Sequence, residues 1–548
     1  MMKMLNLLRD NFLLVIACFL LVFIPLYPKV PLFDIIPGYI VRVRLEDLLV
    51  LLAFAYYLWQ IYRKKITWQT PLTKWIFAYL VVASLSILSA TFLIKTIPLE
   101  LIHLGKSVLH LFRYSEYFVL FFIFFSAVKK KQDLRIVFVS LIAAVLLVSF
   151  YGYGQKFWYW PVFSTMNREF SKGMVLYLTE HARVQSTFGG HYDLAAWLVI
   201  VLPLLYFATM IKKLSKGQRF ALHLTHLAGL WLLITSASRA SFIAYIASMF
   251  FGVVLLSAIK NNWRSKLWFI TQKSLGFLLV LSLMTYTFGD DMRERLEHVL
   301  RAYPNLYQPY EQTQKIVEHQ ISVLKDPFKW VREWQERSKP KNGIAFDNTQ
   351  LDSVLTMTDQ QPVSTRPIDV YVDVPDQVAV VTTDSEGNDT TTYVEKERTW
   401  SDNALKYGLS FAIRLDELWP NAINGFKRNP LLGSGFATLN KKEFYQFTEA
   451  ESTDNNFLRT LGETGLLGVI TFYGAILSLL VFLYRNQKQH RQEILMIANL
   501  SFIAASVGLL LNASYIDVFA SSKVAFTYWA LAGALLAYNL HVKSAQIK

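Results

Sequence analysis

A long polar segment gives way to an apolar helix at Glu451-Ser-Thr-Asp-Asn-Asn-Phe-Leu-Arg-Thr-Leu-Gly-Glu-Thr-Gly-Leu-Leu-Gly468. The stretch places Asp454, two neighbouring amides and Glu463 where the chain is predicted to enter a membrane. Ionisable groups are costly at a membrane boundary, so those that occur there usually serve a function. The stretch therefore predicts both the start of a membrane span and the position of a functional site.

The composition of the whole chain agrees with a membrane location. Of its 548 residues, 53% are hydrophobic and only 17% are charged, which is too apolar for a soluble protein of this size. The apolar residues form blocks of roughly 18 to 25, the length of a bilayer-spanning helix. We predict an all-α polytopic membrane protein of about twelve transmembrane helices with a large outward-facing α+β loop module. The predicted spans are 11–27, 46–62, 74–94, 107–127, 134–154, 192–211, 219–236, 240–259, 267–287, 456–484, 492–512 and 521–541.

The formal net charge of +15 reflects topology rather than nucleic-acid binding. Basic clusters fall in alternate short loops, at 63–65, 129–131, 212–219, 260–266 and 485–491. All of them lie on one side if the N-terminus is cytoplasmic, as the positive-inside rule requires. We predict a multi-pass protein of the cytoplasmic (inner) membrane with both termini in the cytoplasm and no nucleic-acid partner. The single cysteine, Cys18, excludes an intramolecular disulfide and a multi-cysteine metal site.

The spans divide the chain into three parts, with transmembrane helices 1–9 in residues 1–287, the loop module in 288–455 and helices 10–12 in 456–548. Within the module, helical spacing recurs over 309–337 and 403–426. Residues 367–399 alternate like strands, and the turn chemistry of 384–389 predicts a hairpin or meander. A loop of this length in a compact membrane protein is usually functional.

Three arginines lie at predicted outward helix ends or next to them: Arg183, Arg239 and Arg414. A simpler explanation also fits each arginine taken alone: its side chain extends to water at the membrane surface or forms a surface ion pair. Together they match a pyrophosphate, because a guanidinium binds phosphate oxygens bidentately and stays charged in a dry site. The headgroup of a lipid diphosphate lies at this depth, and Gly189 and Gly190 allow close backbone approach to a ligand.

The opening stretch offers a carboxylate for acid–base chemistry. Asp454 precedes an apolar run, so it is either a helix N-cap or a general base for an acceptor hydroxyl, and the two roles are compatible. Asn455 and His191 are candidate substrate contacts, and the histidine is also a candidate base. Glu463 lies inside the predicted span and must pair with an arginine or face a cavity. No residues have metal-ligand spacing, so we predict neither a metal nor a cofactor.

Four of these landmarks resemble the O-antigen ligase and O-antigen polymerase superfamily over residues 180–470. They are Arg183 to Gly189, Ser238-Arg239-Ala240, Arg414 with Asn429 to Phe436, and Asp454 to Gly468. The resemblance implies a polytopic C-type glycosyltransferase that uses a glycan on undecaprenyl diphosphate at the outer face of the membrane. An acceptor hydroxyl would attack the anomeric carbon, the three arginines would stabilise the leaving diphosphate, and Asp454 would serve as the base without a metal.

The chain departs from the ligase pattern at one position. Lipopolysaccharide ligases typically carry a histidine where this chain has Asp454, which favours a polymerase that joins lipid-linked repeat units. The strand-like region at about 340–400 lies outside the family pattern. Transfer of a glycan to a lipid core or a protein remains the alternative, and a lipid-linked glycan transporter is a more distant one. Expected partners are the donor, the glycan, lipid-core or protein acceptor, membrane lipid and a chain-length regulator.

Overall fold

The computed structural model describes residues 11–36, 42–166, 170–179, 182–258, 260–301, 305, 307–312, 376–383, 389–396, 400–440, 452–489 and 492–547. Within these residues a helix lies over each predicted span, in the predicted order. Of the helices described, 9 are long and apolar enough to cross a membrane. The prediction of an all-α polytopic membrane protein is therefore confirmed, whereas the number of spans remains a prediction.

The chain divides into two compact units, which we call the helical unit (1–293 with 421–548) and the loop unit (294–420). The helical unit contains α1 (Phe12–Leu26), β1 (Pro31–Phe33), β2 (Val43–Arg44), α2 (Leu45–Tyr62), α3 (Thr73–Leu88, continued by a π-helical turn Ser89–Leu93), α4 (Leu101–Ala127), α5 (Lys131–Phe157), α6 (His191–Ala208), α7 (Lys216–Thr235), α8 (Arg239–Ser257) and α9 (Trp263–Phe288). After α10 (Asp290–Arg301), the loop unit contains β3 (Asp376–Thr383), β4 (Asp389–Lys396), α11 (Asp402–Tyr407) and α12 (Leu409–Ile413, continued by a π-helical turn Arg414–Leu418). After α13 (Trp419–Arg428), the helical unit resumes with α14 (Asn456–Gln489), α15 (Glu493–Ala513) and α16 (Ser522–Ile547). The predicted domain boundaries at 287/288 and 455/456 remain predictions.

The core of the helical unit is built around α6, of which 83% is buried. Helix α15 packs against α6 and α8, α16 packs against α4 and α6, and α14 packs against α3. Trp197 on α6 donates its indole N–H to Thr527 Oγ1 on α16 at 3.0 Å, since a buried indole nitrogen needs an acceptor. This hydrogen bond joins α6 to α16, which also packs against α4.

Helix α14 is interrupted at Gly465, whose φ of +67° is left-handed. The turn that follows α13 fills the interruption. Leu466 N donates to Pro430 O at 2.9 Å, and Gly435 N donates to Glu463 O at 3.0 Å. Backbone groups inside a bilayer must be satisfied by protein because no water is available there. The glycine-containing segments 429–436 and 463–468 therefore pack together, and the first satisfies the backbone groups that the break in α14 leaves unpaired.

Lys523, in the first turn of α16, is buried among backbone carbonyls. Its ammonium donates to Pro25 O at 2.9 Å, to Tyr27 O at 2.7 Å and to Thr187 O at 2.7 Å. The Nζ atom also lies 4.6 Å from the centre of the Phe188 ring. An ammonium has three donors, and all three are used. One side chain therefore joins the end of α1, the segment before α6 and the start of α16.

The loop unit contains the predicted hairpin. Strand β3 pairs with β4 in an antiparallel register that sets Val378 opposite Val394. The alternating pattern therefore predicted these two strands correctly. The other predicted strand, 368–374, and the part of the predicted helix at 313–337 lie outside the described residues.

Replacing the Lys523 ammonium should strongly destabilise the protein. Lys523→Met removes the Lys523 donor from the Tyr27 and Thr187 carbonyls, each at a cost of about 1–3 kcal/mol, whereas Pro25 O still accepts from the Thr187 hydroxyl. We expect the thermal unfolding midpoint of the purified protein in detergent to fall clearly. Lys543→Met changes an exposed lysine of the same helix and is the matched control. Equal midpoints for the two variants would contradict the structural role of Lys523.

Candidate functional site

A cavity of about 310 Å³ opens within the helical unit. Its wall is formed by the segment after α1, by α4, by the first turn of α6, by the residues that begin α14, and by the loop between α15 and α16. It is lined by Lys29, Arg44, Leu109, His110, Arg113, Tyr114, Tyr117, Thr165, Asp193, Ser452, Arg459, Asp517, Ala520, Ser521 and Ser522. Four of these side chains are lysine or arginine and two are aspartate, so cations predominate in the wall.

Lys29 and Arg44 contribute two buried cations from the segment between α1 and α2. Lys29 Nζ donates to Glu46 Oε1 at 2.5 Å and to Ser522 Oγ at 2.6 Å. Burial lowers the pKa of Lys29, although the Glu46 carboxylate opposes the shift. Arg44 is only 8% exposed, and its Nε has no hydrogen-bond partner among the described residues. Burial likewise lowers the pKa of Arg44. A buried cation without a bound carboxylate is a ready place for an anion.

Arg113, near the middle of α4, contributes the third cation. Its Nη1 donates to Asp47 Oδ1 at 2.5 Å and to Glu116 Oε2 at 3.1 Å. Arg44 N donates to the other oxygen of Asp47 at 2.9 Å. The carboxylates hold the guanidinium in one orientation, which preorganises it at the cavity wall.

The fourth cation, Arg459, belongs to a network centred on Asp517. Arg459 Nη1 donates to Asp517 Oδ2 at 3.1 Å, and Thr453 N donates to the same oxygen at 2.8 Å. Asn455 N donates to Asp517 Oδ1 at 3.1 Å, and Ser452 Oγ lies 3.0 Å from Oδ2. The carboxylate thus ties the α15–α16 loop to the residues that begin α14.

Asn455 caps α14, and Asp454 does not. Asn455 Oδ1 accepts from Phe457 N and from Leu458 N, each at 3.1 Å. The interpretation of Asp454 as the helix N-cap is therefore wrong, because the amide one residue later occupies that position. Asp454 has a φ of +51°, and its Oδ1 accepts from Ser452 Oγ at 2.6 Å. Asp454 is not among the residues that line the cavity.

Glu463 lies one helical turn beyond Arg459 and is buried. Its Oε2 accepts from Arg459 Nε at 3.3 Å, and its Oε1 accepts from Ala437 N at 3.2 Å. Arg459 thus has a carboxylate on each side, Glu463 and Asp517. The structure places Glu463 behind the arginine rather than in the wall of the cavity.

Arg183 and His191 contact each other beside the first turn of α6. Arg183 Nη1 lies 2.5 Å from His191 Nε2 and 3.4 Å from Tyr192 Oη. An arginine only donates, so Nε2 accepts and the neutral ring carries its proton on Nδ1. Neither residue lines the cavity, although Asp193, in the same turn as His191, does.

The other two predicted arginines lie elsewhere. Arg239 is the first residue of α8 and is exposed. Arg414 starts the π-helical turn of the loop unit, where its guanidinium donates to the carbonyl and the hydroxyl of Ser410. Of the predicted site residues, the structure brings together Arg183 with His191. It also gathers Asp454, Asn455 and Glu463 around the Arg459–Asp517 network.

Sequence reasoning missed the cavity's own cations. Arg113 lies inside a predicted span, and a charge at that depth is a functional signal in its own right. Arg459 lies in the opening stretch, between Asp454 and Glu463, and its charge at the start of a span is a signal of the same kind. Arg44 and Asp517 lie in short connections between helices, and only the fold shows that they share a cavity.

Comparison with known families supports the resemblance. A family model described as "O-Antigen ligase" matches residues 398–473. The match confirms the resemblance to the O-antigen ligase and polymerase superfamily, and it supports glycan transfer of the O-antigen ligase type in a multi-pass membrane protein. The matched segment contains Arg414, Asp454, Arg459 and Glu463. No curated protein matches the chain.

The Asp517 network should be essential to the stability of the site. Asp517→Ala removes the acceptor of two backbone N–H groups and one of the two carboxylates that pair with the buried Arg459, which we expect to cost about 3–5 kcal/mol. The thermal midpoint in detergent should fall, whereas the isosteric Asp454→Asn should leave it close to wild type. A wild-type midpoint for Asp517→Ala would show that other groups hold the start of α14.

Proposed function

We propose that this protein is a membrane glycosyltransferase that transfers a glycan from a polyprenyl-diphosphate donor to an acceptor hydroxyl. The main support for the proposal is the cavity lined by Lys29, Arg44, Arg113 and Arg459. A diphosphate is the anion that such a set of cations suits best, because guanidinium groups bind phosphate oxygens in pairs. The match of residues 398–473 to the O-antigen ligase family supports the same chemistry.

The cations would act on the leaving group. When the acceptor oxygen bonds to the anomeric carbon, the bond from that carbon to the diphosphate breaks and the diphosphate leaves with the electron pair. Arg113 and Arg459 are held by carboxylates before substrate arrives, so they need little reorganisation. Arg44, which has no carboxylate within ion-pair distance in the described part of the chain, has the most to gain from a phosphate oxygen.

The remaining predicted residues take supporting roles in the proposal. Asp454 receives the proton of the acceptor hydroxyl. Arg183, with His191, and Arg239 contact the donor outside the cavity, and Arg414 stays a predicted donor contact. Transfer requires neither a metal nor another cofactor, which the addition of EDTA tests directly.

The acceptor separates two forms of the proposal. Asp454, where ligases carry a histidine, favours a polymerase that extends lipid-linked repeat units made on undecaprenyl diphosphate. The family match does not distinguish this form from the alternative, a ligase that transfers the glycan to a lipid core or a protein. In both forms the reaction takes place at the outer face of the cytoplasmic membrane, with both termini inside. A chain-length regulator is a partner of the polymerase form only.

The donor site is tested with purified protein and lipid-linked repeat units in EDTA. We expect Arg44→Ala to reduce transfer about a hundred- to thousand-fold, as the loss of one preorganised donor does in other enzymes. Asp454→Asn and Arg239→Ala should also reduce it. Arg63→Ala removes an exposed arginine at the end of α2 and is the matched control.

The products of the assay distinguish the polymerase, the ligase and the transporter from one another. Longer lipid-linked chains indicate a polymerase, whereas a glycan on added lipid core or protein indicates a ligase. Wild-type activity of the Arg44→Ala variant would contradict the proposal that the cavity binds the donor. No glycan product, together with movement of intact donor across proteoliposomes, would instead indicate a transporter.

A further inference from the structure

The hydroxyl of Ser452 lies between two carboxylates of the site. Its Oγ is 2.6 Å from Asp454 Oδ1 and 3.0 Å from Asp517 Oδ2. Ser452 and Asp517 line the cavity, but Asp454 does not. A base that acts on a ligand in the cavity must reach it, so this hydroxyl stands on the path between the ligand and Asp454.

The single proton of Ser452 points to Asp454. Asp517 Oδ2 already accepts from Thr453 N and from Arg459 Nη1, which fill its two lone pairs. The shorter contact of the hydroxyl is the one to Asp454 Oδ1. Asp454 N donates back to Ser452 Oγ at 3.1 Å. One lone pair of Oγ therefore remains for a donor from the cavity.

The backbone is shaped to hold this contact. Asp454 adopts a left-handed φ of +51°, which costs an L-residue about 1–2 kcal/mol. The turn brings the aspartate side chain back onto Ser452, two residues earlier in the chain. Asn440 Nδ2 donates to Ser452 O at 3.0 Å and anchors the serine from the other side. Strain of this kind persists where the surrounding structure fixes it, and it is common at functional sites.

We propose that Ser452 is a catalytic residue that relays the acceptor proton to Asp454, a step that rests on the proposed glycosyl transfer. The acceptor O–H donates to Ser452 Oγ. As the acceptor oxygen bonds to the anomeric carbon, its proton moves to Oγ and the serine proton moves to Asp454 Oδ1. The bond to the diphosphate breaks and its electrons leave with that group. Asp454 later releases its proton to water, which restores the starting state.

Asp517 directs the relay. Its anionic Oδ2 lies 3.0 Å from Ser452 Oγ. The negative charge favours the arrival of a proton at Ser452 Oγ and disfavours an alkoxide on Ser452. Because Thr453 N and Arg459 Nη1 fill the two lone pairs of Asp517 Oδ2, this oxygen does not compete with Asp454 for the proton. Asp517 is thus a positioning residue, and Asp454 is the terminal base.

The test is the initial rate of glycan transfer by full-length variants in detergent or nanodiscs. Ser452→Ala should lower kcat about a hundredfold, with little change in the donor KM, since it removes proton transfer and no phosphate contact. Ser452→Thr keeps the hydroxyl and should retain most of the activity. Ser452→Ala combined with Asp454→Asn should be no slower than Asp454→Asn alone, because both act in one step.

A second readout uses wild-type protein only and does not depend on how the variants fold. Two protons move together in the relay, so the rate in mixtures of light and heavy water should fall on a curve. A straight line would mean that one proton moves and would overturn the relay. In the initial-rate assay of the variants, Ser84→Ala is the matched control, because it changes a helix serine that does not line the cavity, and its rate should match wild type.

The remaining outcomes separate the relay from the glycosyl transfer itself. Full activity of Ser452→Ala with an inactive Asp454→Asn would mean that Asp454 acts directly, so the relay fails and the function stands. Additive losses in the double variant would also overturn the relay. Absence of transfer by wild type with every acceptor would overturn the proposed function.

Discussion

The carboxylate of Asp517 is the interaction on which the candidate site depends. It comes from a short loop between two helices, yet it accepts two backbone N–H groups and an arginine from the residues that begin α14. Each of these donors is buried or half-buried, and an unpaired buried donor is expensive. The position of Ser452, the left-handed turn at Asp454 and the direction of Arg459 all follow from this one anchor.

The same rule, that polar groups away from water must be paired, explains the rest of the architecture. Interrupting α14 at Gly465 exposes backbone groups, and the turn at 430–435 satisfies them. Lys523 satisfies three carbonyls where α1, the segment before α6 and α16 converge. Both sets of hydrogen bonds hold irregular backbone of the helical unit in place, although the residues that form them are not among those that line the cavity.

The helices were predictable and the site was only partly so, for a physical reason. A span is specified locally, because about twenty consecutive apolar residues are sufficient to cross a bilayer. A site is specified by side chains that are distant in sequence and meet only in the fold. Arg113 and Asp47, for example, are 66 positions apart in the sequence. The opening stretch indicated the right segment but the wrong cap, since Asp454 and Asn455 are both good N-caps and only the backbone φ distinguishes them. Asp517 carries no local signal because its role is to accept hydrogen bonds from another segment.

The ion pairs between the cavity's cations and carboxylates would also affect how readily product leaves in the proposed reaction. Four bare cations around one cavity would repel one another and would hold a diphosphate too tightly for product to leave. Lys29, Arg113 and Arg459 instead keep carboxylate partners, so much of their charge is balanced before substrate binds. In the proposed transfer they would offer a diphosphate oriented donors more than net charge, and such preorganised donors favour a charge that develops during reaction over one already present. In the proposed reaction Arg44, whose Nε has no hydrogen-bond partner among the described residues, would supply the attraction that the ground state needs.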